Sequence, residues 1–393
     1  MENKYIQETE QAVLHTYNKA QIVLEKGEGV YLYDTEGKKY LDFAAGVAVS
    51  GLGYAYPELN EALKGQIDKL CHTSNLYYNE TCGKAAAALA RVSGMDKVFF
   101  CNSGTEAIEG CLKTARKYAY AKGSGRHHFI AMADSFHGRT MGALSVTGRE
   151  QYRMPFEPMI TDVSFAKYND LNSVKELITD KTCAVILEPL QGEGGISVAS
   201  KEFLQGIREL CDANDILLIF DEIQCGMGRT GSMFLWQQYG VRPDVMAMAK
   251  GIGSGLPVGA FAMPAKIAEA SLVPGDHGST YGGNPLACAA VSKTIEIVEK
   301  ENIVKHVQEV GAYLTVQLDQ IAAVYDCVLE RRGMGLMQGL AVSRAPGEII
   351  ARAMAEGLLI ISAGSNVLRL VPPLIITKKH VDEMIDKLKK ALV

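Results

Sequence analysis

The chain predicts an α/β protein: a doubly wound, mostly parallel sheet, followed by a smaller α+β unit. Three observations carry this. Short apolar runs of strand length recur at 97–101, from His127, at 182–187, 216–220, 245–249 and 258–263. Loops and helical segments separate most of them, the alternation that builds βαβ units. These runs are followed by polar residues and glycines, and open α/β sheets bind ligands just beyond the carboxyl ends of their strands. From Pro285 the texture changes to long amphipathic helices and a few short strand-like runs.

The totals exclude several function classes. With 393 residues the chain is long enough for a large core and two domains. Apolar residues make up 48% and charged residues 22%, an ordinary balance for a soluble protein. Asp and Glu outnumber Lys and Arg by 45 to 40, so no basic face for nucleic acid is expected. The start, MENKYIQETEQ, lacks the apolar core of a secretory signal, and no apolar stretch approaches the ~18 residues of a membrane span. A cytoplasmic location is therefore expected. The nine Cys are scattered without CxxC spacing, which argues against a metal or redox motif and suits a reducing compartment. Cys101 and Cys183 sit in apolar runs and read as packing.

In order, residues 1–20 read as a polar, amphipathic opening segment. Val30, Leu32, Tyr40 and Leu41 lie in two short runs around the turn residues 34–37, which predicts a hairpin. Residues 58–70 read as a helix, and 72–80, HTSNLYYNE, as a polar-aromatic loop. That loop reads equally as site lining or as surface turn chemistry. Strand 97–101 leads through Ser103-Gly104-Thr105 into a helix over 106–121. A strand, a glycine turn and a helix start make an anion site, because free N–H groups and the positive helix end face the turn. The same residues also read as a plain N-cap. They are not a Walker loop, since GxxxxGK[ST] is absent. Phe136, His137 and Arg139 lie in the loop after the next strand, where an aromatic can stack on a flat ring and an Arg can fork a carboxylate. A packed Phe and a surface Arg are the plainer alternative.

Strand 182–187 ends on Glu188, with Glu193 close behind; the helix 201–214 follows. The run 216–220 ends on Asp221 and Glu222, and 245–249 ends on Lys250 with glycines after it. Two buried parallel strands would bring Asp221 and Lys250 to one crevice. An amine and an acid so placed suit pyridoxal phosphate: the Lys forms a Schiff base with the aldehyde and the Asp keeps the ring nitrogen protonated. Taken singly, they read as a solvated loop Lys and a helix cap. The loop 277–285, HGSTYGGNP, offers donors for a second phosphate contact or is a flexible surface loop. Helices are expected to about Lys300 and over 303–321, strands near 335–340, 358–362 and 367–371, and a last helix carrying Val381, Met384, Leu388 and Leu392 on one face.

Several of these stretches fall into longer motifs: GxxxxDxxGxxYLD from Gly29, NSGTE from Asn102, FHGRT from Phe136, EPLQGEGG from Glu188, DEIQxGxGRTG from Asp221, AKG from Ala249, GSTYGGNP from Gly278 and LRLxPPL from Leu368. Together they resemble the class III (ornithine-type) pyridoxal-phosphate aminotransferases of fold type I, nearly end to end. The resemblance implies a seven-stranded, mostly parallel sheet in a large cofactor-binding domain over 51–284. It implies a small domain over 285–393, with 1–50 packed against it. The partner is expected to be a second copy, giving a homodimer with shared active sites.

The roles below are what the resemblance implies. Lys250 and Asp221 are the catalytic pair. Ser103, Gly104 and Thr105 bind the phosphate, joined by Thr280 from the other subunit. Phe136 stacks on the ring, His137 contacts the cofactor, and Gln224 approaches the ring hydroxyl. Arg139 clamps the substrate α-carboxylate, Arg369 holds that of 2-oxoglutarate or glutamate, and Glu193 pairs with Arg369 when the other substrate is bound. Ser279, Asn75 and Tyr78 complete the substrate set, Asn75 and Tyr78 toward an acetylamide; Glu188 is structural, and no metal is implied.

HTSNLYY, the His of FHG and the length are similar to the branch that moves the δ-amino group of N2-acetylornithine to 2-oxoglutarate in arginine biosynthesis. Relatives acting on succinylornithine, ornithine, 4-aminobutyrate or a carrier-bound lysine derivative stay open as alternatives, as do an aminomutase of the same fold and a non-enzymatic phosphate binder. One departure stands out: the family commonly has GHxHP where this chain has Gly53-Tyr-Ala-Tyr-Pro57.

Overall fold

The structure, a computed structural model, describes residues 3–160 and 162–393. Its centre is a seven-stranded sheet in the order Lys97–Cys101, Gly259–Met263, Val245–Met248, Leu217–Asp221, Thr182–Leu187, His128–Met132, Val163–Ala166. Only Gly259–Met263 runs against its neighbours; the other neighbouring pairs are parallel. The expected mostly parallel sheet is therefore present. Its inner strands are buried throughout, Leu217–Asp221 and Val245–Met248 included, which is why they read as unbroken apolar runs rather than alternating ones. Each fully buried Ile, Leu or Phe contributes about 1.5–3 kcal/mol relative to exposure. Asp221 lies opposite Ala247 in the register, so Asp221 and Lys250 leave the same edge of the sheet.

A four-stranded sheet joins both ends of the chain. Leu24–Glu28, Tyr31–Asp34 and Lys39–Asp42 form an antiparallel meander, and Leu358–Leu359 adds in parallel beside Lys39–Asp42. Asp34 Oδ1 accepts from the Glu36 and Lys38 N–H groups at 3.0 and 2.8 Å, closing the hairpin turn. A second four-stranded sheet contains Val328–Met334, Met337–Val342, Val367–Leu370 and Ile361–Ala363. One buried cluster unites Val30, Leu41, Phe43 and Leu52 with Leu314, Leu340, Leu368 and Leu388.

The structure corrects the element reading at several places. The strand expected from 335 begins at Met337, because Gly335 sits in a turn at φ +56°. The single run expected over 358–362 splits at Ile360 into two strands of different sheets. Leu24–Glu28, the helix Glu80–Ser93 and the strand Val328–Met334 were not anticipated. Among the described residues no helix is long and apolar enough to cross a membrane.

Candidate active site

A cavity of about 460 Å³ opens along the carboxyl edge of the central sheet. Ser103, Gly104, Thr105, Phe136, His137, Arg139, Asp221, Gln224 and Lys250 all line it. They arrive from the ends of four strands, Lys97–Cys101, His128–Met132, Leu217–Asp221 and Val245–Met248, as an open α/β sheet allows.

The helix Gly104–Ala121 points its amino terminus at this space. Ser103 is its N-cap, its hydroxyl accepting from Glu106 N–H at 3.4 Å. Glu106 reaches back to accept from Asn102 N–H at 2.8 Å and Asn102 Nδ2 at 2.9 Å. Thr105 Oγ1 accepts from the Arg139 and Thr140 N–H groups, both at 3.2 Å, and pins the 136–140 loop against the helix. That approach needs glycine at 138: a Cβ there would lie 2.3 Å from Thr105 Oγ1, and φ is +139°.

Asp221 is 4% exposed. Its Oδ2 meets His137 Nδ1 at 2.8 Å and its Oδ1 accepts from Ile223 N–H at 3.0 Å. Burial works against the His137 imidazolium, but the hydrogen bond and charge of Asp221 outweigh it and hold the ring above the ordinary histidine value. Glu188, buried and also lining the cavity, accepts from Phe136 N–H at 3.1 Å and Gly192 N–H at 3.2 Å. Burial pushes its carboxyl up.

Lys250 follows the strand Val245–Met248 in a left-handed conformation, φ +49°, an uncommon geometry for a non-glycine residue. Burial, then the Arg369 charge, lower its amine from the ordinary 10.5 to about 8. At pH 7.5 roughly a quarter of such an amine is neutral, against about one part in a thousand at the ordinary value. An amine of this kind is a usable base and nucleophile near neutral pH.

Arg369 is buried beside the cavity without lining it. Nη1 forms an ion pair with Glu193 and donates to Gln224 Oε1 at 3.0 Å; Nη2 donates to the Ser362 carbonyl at 3.0 Å. Gln224 is thus held by Arg369 at the cavity wall, a tie the sequence does not reveal. Burial opposes the Glu193 carboxylate, but the Arg369 charge prevails and keeps it below the usual range. The Arg139 guanidinium is exposed and stands 4.1 Å from the Tyr152 ring centroid and 5.3 Å from that of Phe136. Buried His137 Nε2 and Arg369 Nε have no hydrogen-bond partner among the described residues, which suits a site built to take a ligand.

Four expected residues lie apart from this cavity. Thr280 is exposed. Ser279 Oγ accepts from Asn102 Nδ2 at 3.2 Å and Gly282 N–H at 2.9 Å. Asn75 Nδ2 donates to the Ser279 and Gly282 carbonyls, both at 2.9 Å, so it braces the 279–282 loop. The Tyr78 side chain is fully exposed. Val49 and Ile223, not anticipated, also line the cavity. Of the two tyrosines in the departing GYAYP segment, Tyr54 bonds to buried Asp42 and Tyr56 to Glu301 at the surface.

The sequence model of the family described as "Aminotransferase class-III" matches residues 13–392. The acetylornithine aminotransferase of Clostridium acetobutylicum is 48% identical over 94% of this chain and 96% of its own. That of Methanocaldococcus jannaschii is 45% identical over 95% of this chain and 94% of its own. A solved structure of ornithine aminotransferase from Toxoplasma gondii, with partial occupancy of PLP at its active site, superposes with a TM-score of 0.95 at 30% identity. It covers 100% of this chain and 95% of that one.

Proposed function

The chain belongs to the class III aminotransferases, whose cofactor is pyridoxal phosphate, and from that premise we propose that it moves the δ-amino group of N2-acetylornithine to 2-oxoglutarate. The products are N-acetylglutamate 5-semialdehyde and glutamate, a step of arginine biosynthesis. One observation carries the reading: a low-pKa amine, a buried carboxylate and a helix amino terminus share one cavity, in a chain whose curated relatives bear that activity in their names.

The residues present fit the cofactor. Ser103, Gly104 and Thr105 would hold the phosphate at the helix start, Phe136 would lie on the ring face, and Gln224 would meet the ring hydroxyl. Asp221, steadied by His137, would sit at the ring nitrogen. When bound, the cofactor supplies an electron-poor ring that takes up the electron pair left as a proton leaves the carbon beside the amine. Lys250 accepts that proton and returns it, which its lowered pKa permits at neutral pH. With the cofactor bound, Asp221 would keep a negative charge at the ring nitrogen, and His137 fixes the carboxylate's orientation.

Arg139 binds the substrate α-carboxylate. Arg369 is neutralised by Glu193 while the amino donor is bound, and it takes the α-carboxylate of 2-oxoglutarate or glutamate once Glu193 moves aside. One cavity thus serves two substrates in alternation.

We assign the partner subunit's Thr280, Ser279, Asn75 and Tyr78 to completing the site, because none of them lines the cavity of its own chain. The exposed side chains of Leu76, Tyr77, Tyr78 and Tyr281 support a homodimer, since neighbouring exposed apolar groups of this size mark contact surfaces. A cytoplasmic location accords with the absence, among the described residues, of a membrane-crossing helix. Initial rates with acetylated, succinylated and free ornithine on one preparation test the substrate. The acetylated donor is expected to give the highest kcat/KM; a higher value for either competitor would displace it.

A further inference from the structure

Asp42 is buried at the end of the strand Lys39–Asp42 and anchors an unusual piece of backbone. Ala45, Gly46, Val47 and Ala48 all have positive φ, +47°, +62°, +67° and +62°. They form a left-handed turn closed by Ala48 N–H to the Ala44 carbonyl at 3.0 Å and Val49 N–H to the Ala45 carbonyl at 2.8 Å. Consecutive L residues adopt this conformation only where their surroundings hold them in it. Asp42 does the holding. Its Oδ1 accepts from Ala44 and Ala45 N–H at 2.8 and 3.0 Å, and its Oδ2 from Ala45 N–H at 3.1 Å. The turn ends at Val49, which lines the active cavity.

The charge of buried Arg229 also favours the Asp42 carboxylate, and Tyr54 supplies a further hydrogen bond. Its hydroxyl donates to Asp42 Oδ2 at 2.5 Å. The ring lies over Gly27, where a Cβ would come within 2.5 Å of Tyr54 Cγ. Its backbone is bridged to Gly29 by N–H···O bonds of 3.0 and 2.8 Å. The hydroxyl is therefore aimed by both the ring and the backbone. The same strip is tied to the reactive amine's loop, because Leu52 N–H donates to Ser254 Oγ at 3.2 Å, and Ser254 lies just beyond Lys250.

We propose that Tyr54 is a positioning residue: through Asp42 it holds the left-handed turn 45–48, and with it the substrate-cavity wall at Val49. The proposal rests on the aminotransferase reading of that cavity. Among the described residues no hydrogen bond joins Lys250 or Asp221 to the turn 45–48, so its loosening alters substrate fit and leaves the proton transfer in place. The signature is therefore a change in KM at constant kcat.

The test compares Tyr54→Phe, which removes the donor and keeps the ring, with Tyr54→His, which offers a ring N–H in its place. Both are studied as holoenzyme. The Phe variant is expected to raise KM for the amino donor roughly tenfold with kcat within about twofold, the lower end of the scale of losing one hydrogen bond to a charged acceptor. Amide exchange in a peptide spanning 44–49 should accelerate about tenfold while that of Lys97–Cys101 stays unchanged. The His variant should lie between the parent and the Phe variant in both readouts. Unchanged KM and unchanged exchange at 44–49 in the Phe variant would overturn the proposal, as would a fall in kcat at constant KM. If the Phe variant does not fold, His-variant exchange at 44–49 faster than in the parent supports the anchor and unchanged exchange overturns it. Exchange needs no turnover. A parent that transfers no amino group would therefore sink the functional reading and still leave the anchor tested.

Discussion

Replacing Asp221 by Asn removes one charge with almost no change in shape. In the parent, Oδ2 meets His137 Nδ1 at 2.8 Å and Oδ1 accepts from Ile223 N–H at 3.0 Å. An Asn side chain keeps the second bond. Its amide then donates to His137 Nδ1, so the imidazole becomes an acceptor there and loses the charge that raised its pKa. The fold is expected to persist, and what disappears is the negative charge proposed to face the ring nitrogen, on a residue 4% exposed. Preorganised electrostatic partners of this kind are worth about 3–4 kcal/mol in the transition state, roughly 10²–10³ in rate. The assay follows a single half-reaction by the absorbance of the bound cofactor after mixing with amino donor, with thermal melting to confirm the fold. A folded, cofactor-loaded Asp221→Asn protein reacting within about threefold of the parent would refute the argument.

Other expectations follow from the same geometry. Because the Lys250 pKa is lowered, the neutral amine dominates above about pH 8. Cofactor capture by apoprotein, read by colour, should therefore rise with pH with its midpoint near 8 rather than near 10.5. Arg369→Gln should move that midpoint upward by removing a cation, and an unmoved midpoint would contradict the stated cause. Glu193→Gln leaves Arg369 without its neutralising partner. It should lower kcat/KM for N2-acetylornithine relative to glutamate by about tenfold, roughly 1.4 kcal/mol, and paired initial-rate measurements check this.

The proposed catalytic pair is legible in the sequence because strand ends are. The runs before Asp221 and Lys250 are short and apolar without alternation, the length and pattern of a buried parallel strand, and the register then brings both ends to one edge. The proposed phosphate cradle is legible for a similar reason: strand, glycine turn and helix start have a fixed geometry. The strand Val328–Met334 escapes notice because much of it is charged and partly exposed, so no apolar pattern marks it. The helix Glu80–Ser93 is rich in Ala, whose small side chain gives a weak hydrophobic rhythm. The left-handed turn 45–48 is invisible because three of its four residues are Ala and Val, which announce no positive φ. Gln224 held by Arg369 is equally hidden, since that bond joins residues far apart in the chain.

The most direct measurement uses the yellow holoprotein as purified. Reduction with borohydride, digestion and mass spectrometry should find the pyridoxyl label on the peptide containing Lys250 and nowhere else. A label on any other lysine, or none at all, would contradict the account at its centre.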